Sequence, residues 1–72
     1  MAYLSDNQIQ QMAVEAVTNY EFSCEWVKAA QAAKEFCVEE FNTVPRKSAV
    51  LLAVKQAQLM WMGHSIQAKA AQ

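Results

Sequence analysis

Apolar positions recur in alternating steps of four and three from the N-terminal third of the chain onward. Ile9, Ala13, Ala16, Tyr20, Ser23, Val27, Ala30, Lys34, Cys37 and Phe41 form one such series, which is the spacing of a single helix face. Ser5 is placed to cap the start, with Gln8 three residues on for a reciprocal capping box and Asp6 in the first turn. No Gly or Pro interrupts the series until FNTVPRKS, Phe41 to Ser48. There Asn42 can close a helix in place of glycine, Thr43 can cap the next one and Pro45 suits its first turn. AVLLAVKQAQLMWM then continues toward the C-terminus and is apolar around most of its girth between Ala49 and Met62, with Gly63 as its weakest point.

The pattern predicts an all-α, two-helix antiparallel hairpin, with a long helix over about 6–41 and a second over about 45–70. TNYE, Thr18 to Glu21, is itself a capping-box match made of mediocre helix formers. A corner near 18–20, giving a three-helix bundle, is therefore the alternative. Continuity is preferred because the stripe crosses Thr18–Asn19 without changing phase, whereas a corner usually resets it.

At 1.5 Å per residue the two helices of the hairpin are about 54 and 39 Å long, so the second ends opposite roughly Thr18. Nothing in the chain then covers the start of the first. A homodimer is expected on that ground, with Ile9, Met12, Ala13, Ala16, Val17 and Tyr20 at its interface. A second stripe, Phe22, Trp26, Ala29, Ala33 and Phe36, lies on another side of the long helix and is assigned to a protein partner. Glu21, Glu25, Lys28, Glu35 and Glu39 mark a solvated charged stripe.

Composition agrees with one small helical domain. The chain has 72 residues, 54% of them hydrophobic, with one Gly and one Pro, too few turn formers for a hairpin-rich β fold. A net charge of −1 gives no broad electrostatic footprint for nucleic acid or anionic lipid. The N-terminus has neither a basic segment nor an apolar run of a secretory signal. The longest apolar run, Ala49 to Val54, is far short of the roughly 20 residues of a membrane span. Two cysteines in such a chain predict free thiols and a cytoplasmic location.

No residue constellation points to an enzyme. His64 is the only histidine, and neither Cys24 nor Cys37 stands at a spacing that would make it a thiol–imidazole partner. Cys24, Cys37 and His64 lack the close pairing of a zinc site, and the cysteines would lie about 20 Å apart on one helix. No cofactor or metal is expected.

Arg46 and Lys47 open the second helix as basic residues open a DNA-recognition helix, but the rest of that helix is too apolar for a groove. Aromatic residues and Met, by contrast, are enriched at protein interfaces. The expected function is therefore that of a small non-enzymatic protein that binds another protein through an apolar helix face, by helix-in-groove docking. It would block or recruit a regulator or enzyme, as small helical bacterial and phage regulators do, which is analogy only. The alternatives are a small DNA-binding regulator and a structural subunit of a larger assembly.

Overall fold

Three helices are present in the computed structural model, which describes residues 4–70 and the side chains of 4–63: α1 (Asp6–Ser23), α2 (Trp26–Phe41) and α3 (Lys47–Ala70). No strand occurs among the described residues. The start of α1 follows the sequence. Ser5 Oγ accepts the Gln8 N–H at 3.1 Å and Gln8 Oε1 accepts the Ser5 N–H at 2.8 Å, so two orphan donors of the first turn are satisfied reciprocally.

The long helix over 6–41 does not form. The chain turns at Cys24–Glu25, so the bundle has three helices with its corner a few residues beyond Thr18–Tyr20. Thr18 does not act as a cap, because its hydroxyl donates to the Val14 carbonyl at 2.8 Å within α1. Cys24 stops the helix in the left-handed conformation (φ 58°, ψ 24°), its N–H donating to Tyr20 O at 2.9 Å. Ser23 Oγ accepts the Glu25 N–H at 3.3 Å and lies 3.2 Å from Asn19 Oδ1. Glu25 is extended (φ −133°, ψ 121°) and begins α2 without a side-chain cap. Its carboxylate is instead 3.0 Å from Lys28 Nζ, an exposed pair of little weight.

A left-handed backbone costs a residue with a Cβ about 1–2 kcal/mol. Cys24→Gly should therefore stabilise the fold by up to about 1 kcal/mol, after the greater freedom of glycine in the unfolded chain is deducted. The β-branched Cys24→Val should destabilise it. Thermal melts of the two variants, moving in opposite directions by a few degrees, check the corner.

At the other connection Asn42 closes α2 in the left-handed region (φ 50°, ψ 37°), as its short polar side chain allows. Thr43 Oγ1 donates back to Phe41 O at 2.9 Å and does not cap α3. The buried Pro45 precedes α3, whose first turn closes when the Ala49 and Val50 N–H groups meet Arg46 O at 3.0 and 3.1 Å.

With only two residues between them, α1 and α2 form a tight αα-hairpin. α1 packs closely on both other helices, while α2 and α3 touch least. The buried core is Ile9, Met12, Ala13 and Ala16 from α1, Ala29, Ala33 and Cys37 from α2, and Ala53 and Ala57 from α3. Six of these nine are alanine, and Met12 and Cys37 are the largest fully buried side chains. Such small residues let helix axes approach at the short end of the usual 8–10 Å range.

The overhang on which a dimer was expected is therefore absent. Ile9, Met12, Ala13 and Ala16 are covered by the chain's own α2 and α3, and Val17 and Tyr20 pack at the edge of the same core. The two non-helical residues at the corner also shift the phase of α2. Its inward face is Ala29, Ala33 and Cys37, while Val27, placed on the first stripe, is 83% exposed.

Candidate interaction surface

The stripe assigned to a partner, Phe22, Trp26, Ala29, Ala33 and Phe36, is divided by this fold. Ala29 and Ala33 have no exposed surface. Trp26 stacks on Tyr20 with ring centroids 3.8 Å apart, and Tyr20 meets Trp61 edge-on at 5.1 Å, which ties the corner to α3. Phe36 packs edge-on against Phe41 at 5.6 Å. Only Phe22 is fully outside, 84% exposed.

The large apolar residues that the core leaves out are concentrated on α3. Ala53 and Ala57 point inward, with Val50 and Met60 partly buried beside them. On the opposite side of the helix stand Leu51, Leu52, Leu59 and Met62, between 44% and 62% exposed. At 100° per residue these four fall within about 100° of one another, a full amphipathic stripe facing outward. The arrangement inverts the usual order, in which leucine is among the most buried residue types. The sequence showed that this helix is apolar around its girth. Which side faces outward is set by the alanine seam.

Lys55 sits within the stripe, between Leu52 and Leu59, and is exposed. A groove of about 410 Å³ runs beside the stripe at the loosely packed α2–α3 boundary, lined by Lys34, Pro45, Lys47, Val50 and Leu51. Charge is segregated along the chain. Residues 1–42 carry seven carboxylates and two lysines, a net −5, whereas residues 43–72 carry one arginine and three lysines and no carboxylate, a net +4. A formal charge of −1 thus conceals a basic third helix on an acidic pair.

The remaining candidates stand apart. Cys24 is exposed at the corner, while Cys37 is buried near the opposite end of α2 with its Sγ 3.2 Å from Thr43 O. Burial pushes the Cys37 thiol above its ordinary pKa, which keeps it protonated and poorly nucleophilic. The His64 side chain lies outside the described residues. No group of three metal-ligating side chains occurs among the described residues. None of the described helices is long and apolar enough to cross a membrane.

Comparison with protein-family models, with curated proteins and with solved structures finds no match to this chain.

Proposed function

We propose that this protein acts without chemistry of its own, by presenting the outward face of α3 to another protein and so blocking or recruiting it. The observation that supports this reading is the exposure of Leu51, Leu52, Leu59 and Met62 on one side of a helix whose other side buries only alanines at its centre. Fully burying a leucine or methionine side chain is worth about 1.5–3 kcal/mol. Side chains already about half covered retain about half of that, or roughly 3–6 kcal/mol over the four. That gross gain only matches the low end of the roughly 4–15 kcal/mol cost of association, so the net affinity must come from further contacts beside the four. Phe22 and Val27, exposed on either side of the corner, offer a second and smaller apolar patch.

The reading moves the binding surface from α2 to α3. Burial of Ile9 in the chain's own core separately removes the ground on which self-association through it was expected. A DNA-binding regulator using α3 draws support from Arg46 and Lys47, but the leucines on that helix are the wrong chemistry for base edges and phosphates.

Affinity capture from the native host tests the proposal with three baits: the unaltered protein, Leu59→Asp and Phe22→Asp. One protein should be retained by the first and third and lost from the second. Retention that ignores Leu59 would remove the α3 face from the function. Retention on duplex DNA that falls steeply with salt would favour the regulator instead.

A further inference from the structure

Building on the α3 reading, we propose that the partner segment is an acidic amphipathic helix. It would lie along α3 with its apolar side on Leu52, Leu59 and Met62 and its carboxylates toward Lys55, Lys47 and Lys34. Leu52, Lys55, Leu59 and Met62 follow steps of three, four and three, the spacing by which one helix presents a seam to another. Beside it, the α2–α3 groove gives the partner's side chains a place to enter next to Leu51.

Charge selects the class of helix. Lys55 is inside the seam, and covering an ammonium with an apolar surface is costly unless a carboxylate meets it or its stem reaches back to water. Lys34 and Lys47 line the groove with the same sign. A partner with Glu or Asp flanking its apolar stripe satisfies all three.

A second copy of the chain fits less well. Two α3 helices laid together bring Lys47 and Lys55 from each into one interface and supply no carboxylate, because residues 43–72 contain none. The carboxylates of a second copy lie on its α1 and α2. There the large apolar residues more than 36% exposed are Val14, Val38 and the corner pair Phe22 and Val27, which do not make a stripe to match the leucines.

The test uses two labelled synthetic helical peptides with the same leucine seam, one flanked by glutamates and the other by lysines. Each is titrated with the full chain and followed by fluorescence anisotropy at physiological salt. The glutamate peptide should bind at least tenfold more tightly than the lysine peptide. Leu59→Ala should weaken it about tenfold, and Lys55→Gln should reduce the preference between peptides several-fold. Both substitutions are at exposed positions, and circular dichroism checks that the helices are retained.

Equal binding of the two peptides that still depends on Leu59 would overturn the acidic class and leave the α3 reading intact. Failure of both peptides to bind would overturn the inference. Parallel measurements then identify what covers the face. A dimer that Leu59→Asp converts to monomer in sedimentation assigns it to a second copy. Binding to phosphatidylserine vesicles that Leu59→Asp abolishes assigns it to a lipid surface, and the protein-binding reading then fails as well.

Discussion

Ala33→Asp should leave the chain largely unfolded at 25 °C. Ala33 has no exposed surface and belongs to the alanine seam joining α2 to the rest of the core. A carboxylate there is either ionised without a partner or forced to bind a proton, and the cost is several kcal/mol in either case. At 0.05–0.15 kcal/mol per residue, a 72-residue domain has only about 4–11 kcal/mol of stability to lose. Far-UV circular dichroism should show most of the helical signal gone. Ala33→Leu is the milder probe of the same contact. Three added carbons must push the helices apart or adopt strained rotamers, for a loss of about 1–3 kcal/mol with the helices retained. A higher melting temperature for Ala33→Leu would mean that the seam is loose and that alanine is not there to permit close approach.

Met12→Ala should cost about 2–5 kcal/mol, and Leu59→Ala no more than about 0.5 kcal/mol in the isolated protein. The two side chains are of similar size and both are apolar, so the contrast comes from position alone. Met12 is fully buried, and truncating it leaves a void that neighbouring alanines are too short to fill. Leu59 is 62% exposed on the far side of α3, and truncating it removes surface that water already wets. Urea unfolding of both variants, read for a change in midpoint at constant slope, measures the difference.

Much of this architecture is readable from particular residues. The all-α composition, the Ser5–Gln8 box and the stop at Asn42 all come from local chemistry that tertiary packing did not override. Ile9, Ala13 and Ala16 were legible as one apolar face, though that face was assigned to a dimer and is covered by the chain's own helices. The corner at Cys24 was not legible. It uses a cysteine in the left-handed region where Gly or Asn would have announced it, and the turn is held by the Ser23 hydroxyl accepting the Glu25 N–H, with no side-chain cap on α2. The Thr18–Glu21 match pointed nearby, but Thr18 spends its hydroxyl on Val14. The four–three stripe ran on across the break because alanine fits either side of a helix, so Ala29 and Ala30 support both phases equally well. The outward apolar face of α3 was hidden by the same ambivalence. A helix carrying Ala53 and Ala57 on one side and Leu52 and Leu59 on the other is expected to bury the leucines. Only the packing of α1 against both neighbours places the alanines inside.

The most direct measurement is solvent accessibility at the methionine methyls of the free protein, by NMR with a soluble paramagnetic agent. Met62 lies on the outward face of α3 and Met12 in the alanine seam. The Met62 methyl, together with the Leu51, Leu52 and Leu59 methyls, should be strongly broadened while that of Met12 stays sharp. A Met62 methyl as protected as that of Met12 would contradict an outward apolar face on α3, and with it the proposed site of binding.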